Sequence, residues 1–119
     1  MKSIGVSQFK PRHLERLLDI AYNKPVVNEI ELHPLYVDHE TIAFCKKNDI
    51  LIVAYSPLAG YNKIMVRNEV IWRIAQKNRL FVSQIVLSYL LSKGYIIIPR
   101  SSQEKHIASN IQLENIHLS

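Results

Sequence analysis

The chain has 119 residues, 21% of them charged, with a formal net charge of +5 and one cysteine. That length suits one domain or part of a larger one, apolar enough to fold and too lightly charged for disorder. No apolar run approaches the roughly 18 residues of a membrane span, Met1 is followed by no secretory core, and the lone Cys45 excludes an internal disulfide and suits a reducing cytoplasm. The positive charge is scattered, with no basic run interleaved with aromatics, which argues against nucleic acid and suits an anionic small ligand.

Ser3-Ile-Gly-Val6 reads as a short strand, with Ser7 and Gln8 at its carboxyl end. Pro11 stands at a good first helical position, and Leu14, Leu17, Leu18 and Ala21 recur at helical spacing until Asn23-Lys-Pro25 stops the helix. Val26 to Ile30 is a second strand running into Glu31-Leu-His-Pro34. Asp38 is the predicted N-cap of a helix through Ile42, Ala43, Cys45 and Lys46; Cys45 on that amphipathic pattern reads as a small core residue. After an Asn48-Asp49 turn, Ile50-Leu-Ile-Val-Ala54 is predicted as a fully buried strand leading to Tyr55-Ser-Pro-Leu58. Gly60 to Lys63 reads as a loop, Val70, Ile71, Ile74 and Ala75 as a helix ending near Asn78, and Ile85, Val86, Tyr89 and Leu90 as another, closed by Gly94. Ile96 to Ile98 is predicted as a last fully buried strand, ended by Pro99. Ser102, or Ser101, is the expected cap of a helix starting near Gln103. Arg100 and two hydroxyls beside a helix N-terminus suit a phosphate, and an ordinary capped turn accounts for the same residues equally well.

Apolar strands alternating with amphipathic helices predict a parallel sheet covered by helices, with right-handed crossovers. An open doubly wound sheet and part of a (β/α)₈ barrel both fit, and both place ligands at the carboxyl ends of the strands. Four groups of residues lie there: Ser7 and Gln8; Glu29, Glu31 and His33; Tyr55 and Ser56; Arg100, Ser101 and Ser102. Gly5-Val-Ser-Gln8 carries one glycine where a dinucleotide-binding turn needs G-x-G-x-x-G, which favours the barrel segment. Glu29 and Glu31 share one face of a period-2 strand, with no His or Asp at ligand spacing to make a metal site. Tyr55 taken alone reads as a core-edge aromatic.

The motifs Ile4-Gly-Val-Ser-Gln-Phe9, Val27-Asn-Glu-Ile-Glu-Leu-His-Pro34, Phe44-Cys-Lys46, Ala54-Tyr-Ser-Pro-Leu58 and Ile98-Pro-Arg-Ser-Ser102 with Asn110 keep their order and spacing over essentially the whole chain. In them the sequence resembles the C-terminal half of an aldo-keto reductase. Gly94 to Ser102 with Ala108-Ser-Asn-Ile is most similar to bacterial 2,5-diketo-D-gluconate and methylglyoxal reductases. The resemblance implies a partial (β/α)₈ TIM barrel in which residues 1–119 form a single incomplete domain supplying strands five to eight. It also implies NADPH as the cofactor and a small carbonyl compound as the substrate. By the same resemblance, Ser7, Gln8 and Glu29 meet the nicotinamide carboxamide, Tyr55 stacks on the nicotinamide ring, and Ser56 and Leu58 lie beside the pyrophosphate. Arg100 and Ser101 meet the adenosine 2′-phosphate, and His106 and Asn110 lie at the adenine. Gln8 replaces the family's usual Asn, Glu29 its usual Gln, and His106 a common Arg. The family's proton-donating tyrosine and its partners lie on the first four strands, so the resemblance assigns no catalytic residue here, and His33 is implied to be a structural turn residue. It further implies apolar strand edges that associate with an N-terminal half or with another copy. The alternative is a non-catalytic remnant that binds nucleotide or a partner.

Overall fold

A computed structural model describes residues 1–113 and 116–118. Four strands, β1 (Gly5–Ser7), β2 (Val27–Glu31), β3 (Leu51–Tyr55) and β4 (Ile96–Ile97), alternate with helices α1 (Pro11–Ile20), α2 (His39–Lys47), α3 (Lys63–Val66), α4 (Glu69–Asn78), α5 (Val82–Ser92) and α6 (Glu104–Ile111). The sheet is parallel throughout and its strands lie in chain order, β1-β2-β3-β4. Strand order decides between the two predicted architectures. A doubly wound sheet reverses its order at a switch point and carries helices on both faces. A strictly sequential parallel sheet with right-handed crossovers places its helices on one face, which is barrel winding.

Period-2 alternation shows this directly. Asn28, Ile30, Ile52 and Ala54 point to the helical face and are buried, and Leu14 of α1, Cys45 of α2 and Val86, Leu87 and Leu90 of α5 join the same core. Glu29, Glu31, Leu51, Val53, Tyr55 and Ile96 point the other way. Two expectations are corrected here. Ile50–Ala54 and Ile96–Ile98 are predicted as fully buried, yet Leu51 is 54% exposed, Ile96 42% and Ile98 44%. Barrel strands are apolar on both faces, since other strands cover the inner one; among the described residues only the helical face is covered.

The helix ends follow local chemistry. Pro11 opens α1, where its missing N–H leaves no hydrogen bond unmade. Gly94, at φ +82°, closes α5: its N–H donates to the Leu91 carbonyl at 2.9 Å and the Tyr95 N–H to that of Leu90 at 3.3 Å. The short α3, not expected from the sequence, begins at Lys63 where the Gly60 to Lys63 loop ends, and the side chains of Asn62 and Asn68 cap α3 and α4 in turn. Neither Ser102 nor Ser101 is the cap of α6. Gln103 holds that position without a side-chain bond, while Ser101 Oγ accepts the Gln103 N–H at 3.2 Å one turn earlier. The serine hydroxyl therefore shapes the approach to the helix rather than its first turn.

Asp38 is the predicted cap of α2. Its carboxylate accepts the Thr41 N–H at 3.0 Å and the Thr41 hydroxyl at 2.8 Å, and pairs with the Lys10 ammonium. Burial pulls the carboxyl pKa upward, but the Lys10 and Thr41 donors outweigh it and bring it down from 3.8 to about 2. A lowered folded-state pKa means that the stabilisation is complete above the unfolded value and is lost as pH falls through the folded one. Lys10 is half exposed, so the cap contributes more than the ion pair. Asp38→Ala is expected to cost about 1–2 kcal/mol at neutral pH. In denaturant titrations the gap from the parent chain should close between about pH 4 and pH 2; a gap independent of pH would exclude the carboxylate as its source.

Candidate functional site

At the carboxyl end of β1 the Ser7 hydroxyl donates to the Glu29 carbonyl at 3.1 Å, and the Gln8 N–H donates to the same oxygen at 2.9 Å. Gln8 then turns into the left-handed region at φ +57°, and its side-chain amide donates to the Tyr55 hydroxyl. Ser7, Glu29 and Val53 are in register across three strands, as are Glu31 and Tyr55, so the Ser7, Glu29, Glu31 and Tyr55 side chains share the open face. This brings together the first three predicted groups.

Asn28 fastens this corner from below. It is fully buried; its amide donates to the Phe9 carbonyl at 2.9 Å, and its Oδ1 accepts the Phe9 N–H at 3.4 Å. One side chain thus replaces a strand partner for the residue after Gln8. Sequence reasoning missed Asn28, although a signal is present: a polar residue at an inward position of an apolar strand must find partners. Cys45 lies against the Asn28 amide at 3.7 Å, and burial raises its thiol pKa, as suits a core residue rather than a nucleophile.

His33 is buried within the turn after β2. Its Nδ1 accepts the Leu35 N–H at 3.3 Å, which leaves Nε2 to carry the proton toward Glu31 Oε1 at 2.9 Å. Both nitrogens are therefore committed to holding the turn, matching the structural role the resemblance implies. Glu31 correspondingly has one oxygen engaged, and no three His, Cys, Asp or Glu side chains converge as metal ligands among the described residues.

Beyond β3 the backbone is strained. Ser56, Ala59 and Tyr61 have φ of +47°, +49° and +58°, values that side-chain-bearing residues rarely adopt. The Leu58 side chain is buried in the core, so this position offers a ligand its backbone alone. The Tyr61 ring lies 6.3 Å from that of His106, nearly parallel at 17°. That contact ties the loop after β3 to α6, and Tyr61 is a second residue that sequence reasoning missed; nothing in its local pattern marks it.

After β4, Arg100 is exposed and forms no salt bridge among the described residues. Ser101 and Asn110 line a cleft of about 300 Å³ together with Ile97, Pro99, Ile107 and Ile111. The predicted residues thus fall into two groups at one end of the sheet. One is polar and aromatic over β1 to β3; the other is a cation beside an apolar-walled cleft at β4 and α6. A larger shallow depression of about 570 Å³ runs between the starts of α1 and α2, where the Lys10–Asp38 pair and the α2 cap already occupy the polar groups.

The sequence matches the Aldo/keto reductase family over residues 1–119. The chain belongs to that family. It is 38% identical to a glyoxal reductase of Bacillus subtilis, over 100% of this chain and 42% of that protein. It is also 38% identical to a glycerol 2-dehydrogenase (NADP(+)) of Hypocrea jecorina, over 98% of this chain and 38% of that one. Among solved structures, a Bombyx mori aldo-keto reductase in complex with NADP superposes with a TM-score of 0.90 at 33% identity, over 99% of this chain and 41% of that one. A deep-sea metagenome aldo-keto reductase gives 0.94 at 34% identity, over 99% and 44%. The chain therefore spans about two fifths of the length of the relatives it matches, and its fold is part of their barrel. No helix among the described residues is long and apolar enough to cross a membrane.

The His33 geometry yields a prediction. Glu31→Ala leaves the buried Nε2–H without its acceptor and is expected to cost about 1–2 kcal/mol in denaturant unfolding. Nitrogen-15 spectra of the parent should show the Nε2–H tautomer, and a protonated Nδ1 would refute the arrangement.

Proposed function

We propose that the chain is the cofactor-binding half of an NADPH-dependent reductase of aldehydes and ketones. The observation that carries this reading is the exposed Arg100 beside Ser101 and the Asn110 cleft, at the same end of the sheet as the Gln8–Tyr55 corner. A dinucleotide phosphate is an elongated ligand with a polar flat ring at one end and an anionic nucleoside at the other, and these two groups match its ends. Arg100 is a planar cation able to hold a phosphate in two hydrogen bonds. Ser101 is the second 2′-phosphate contact, His106 and Asn110 border the adenine, and the Ser56 to Leu58 backbone lies along the pyrophosphate. Ser7 and the Glu29 carboxylate receive the carboxamide, with Gln8 beside them and its amide turned to the Tyr55 hydroxyl. Tyr55 presents its ring to the nicotinamide. The relatives named for NADP(+) or solved with NADP support this choice of cofactor.

NADPH, when bound, supplies the hydride. The residues described hold and orient it; the proton for the carbonyl oxygen is assigned to no residue of this chain and comes from the remainder of the barrel. The substrate is a small carbonyl compound, and the lone, buried Cys45 suits a cytoplasmic setting. Relatives of equal identity carry the names of a glyoxal reductase and a glycerol dehydrogenase, so the class of substrate is proposed and no single compound. In fluorescence titrations of the chain, NADPH is expected to bind more tightly than NADH. Arg100→Ala should weaken NADPH about ten- to hundred-fold and leave NADH unchanged. Absence of NADPH binding, or equal losses for both nucleotides, would overturn the reading.

A second reading is favoured by the exposed Leu51, Ile96 and Ile98 on the open sheet face: a half-barrel that binds nucleotide or a partner without catalysis of its own. Such a face, flanked by two strand edges, associates, either with an N-terminal half or with another copy. Light scattering of the isolated chain should give a mass above the monomer's that Leu51→Lys with Ile96→Lys reduces. A monodisperse monomer would count against self-association and leave the N-terminal half as the partner to test.

A further inference from the structure

We infer that Gln8 is a positioning residue for Tyr55: its side chain bridges from β1 to β3 across the end of β2 and fixes the ring that the cofactor reading places against the nicotinamide. The inference rests on that reading and adds a role for Gln8 that acts through a neighbouring side chain.

The backbone makes the bridge. Gln8 stands at φ +57° immediately past β1, where its N–H is held by the Glu29 carbonyl at 2.9 Å. The left-handed turn redirects the side chain from the strand axis to the neighbouring strand ends. Glutamine has no local hydrogen bond to favour that conformation, unlike asparagine or aspartate, so the surroundings must impose it. Two sets of contacts do so: the Glu29 carbonyl on Ser7 and Gln8, and buried Asn28 on Phe9.

Length does the rest. Strands lie about 4.8 Å apart, so β1 and β3 are separated by roughly twice that. The Gln8 amide meets the Tyr55 hydroxyl across this span, 47 positions apart in sequence. An asparagine would be one methylene shorter. Tyr55 is the last residue of β3, and the next, Ser56, is itself left-handed at φ +47°. At the strand end, the ring is held by its own strand and by Gln8. A ring already held in its binding orientation loses less freedom when a flat ligand stacks on it.

The test is a double-mutant cycle on NADPH binding in the full 119-residue chain, read by cofactor fluorescence. Tyr55→Phe keeps the ring and removes the hydroxyl; Gln8→Leu keeps bulk and removes the amide. Gln8→Leu is expected to weaken NADPH about five-fold in the parent and to have no effect in the Tyr55→Phe background. Thermal unfolding of each variant checks that the fold is intact; a purely structural loss would persist when the hydroxyl is absent. An equal loss in both backgrounds would mean that Gln8 touches the cofactor itself, and no loss in either would mean that the bridge does not matter; both overturn the inference while leaving the cofactor reading in place. If Tyr55→Ala also leaves binding unchanged, the placement of Tyr55 at the nicotinamide fails, and the inference fails with it.

Discussion

Everything in this molecule depends on the parallel, sequential hydrogen-bonded ladder. Parallel strands cannot be joined by tight turns, so each must return through a crossover, and the right-handed crossover is strongly preferred. Four strands in chain order therefore place the crossover helices on one face and the loops after the strands at one end. Residues far apart in sequence, such as Gln8 and Tyr55, meet at that end because the ladder collects them there, and Arg100 lies at the same end. Their own local preferences play little part.

The same ladder makes the sheet two-sided. On the helical face, buried Ile30, Ile52 and Ala54 pack against Leu14, Val86, Leu87 and Leu90 of the helices in one hydrophobic core. The other face carries Leu51, Val53, Ile96 and Ile98 beside Ser7, Glu29, Glu31 and Tyr55. On β2 and β3 its apolar residues lie toward the amino ends and its polar ones toward the carboxyl ends, while Ile98 keeps the carboxyl end of β4 apolar. Along β2 and β3 the open face runs from Val27 and Leu51 to Glu31 and Tyr55, a gradient from a surface suited to packing to one suited to a ligand.

Much of this was legible from sequence, and what was not has a common cause. Most element types follow from local signals: Pro11 opening a helix, Asp38 capping one, Gly94 closing one; the short α3 was missed, and each strand lies a residue or two from its expected bounds. Burial was over-read in Ile50–Ala54 and Ile96–Ile98 because an apolar run states what a strand can tolerate, whereas its actual cover depends on which elements pack against it. Strand ends pointed to the site residues, since parallel topology fixes where ligands bind. The contacts that organise the site were invisible. Asn28 to Phe9, Gln8 to Tyr55 and Tyr61 to His106 each join residues from different elements, and no local pattern encodes them. Leu58 shows the converse: a motif placed it at the ligand, while its side chain is in the core and leaves only its backbone for that role.

The left-handed residues show where the chain accepts conformational cost. Asp49 and Arg79 end α2 and α4, and there the strain is offset at once, because the following N–H groups of Ile50 and Leu80 reach back to the Cys45 and Ala75 carbonyls at 2.9 and 3.0 Å. Gln8, Ser56, Ala59 and Tyr61 are different. They stand past the carboxyl ends of β1 and β3, and no helix end is satisfied by Gln8 or Ser56. Each such residue costs about 1 kcal/mol or more, and a loop free to relax would not keep them. At Gln8 the Glu29 carbonyl and the buried Asn28 amide hold the segment; at Tyr61 the His106 ring does. Strain that is maintained by specific contacts, at the one end of the sheet where the topology gathers polar and aromatic side chains, marks that end as the part of the molecule shaped for something other than its own stability.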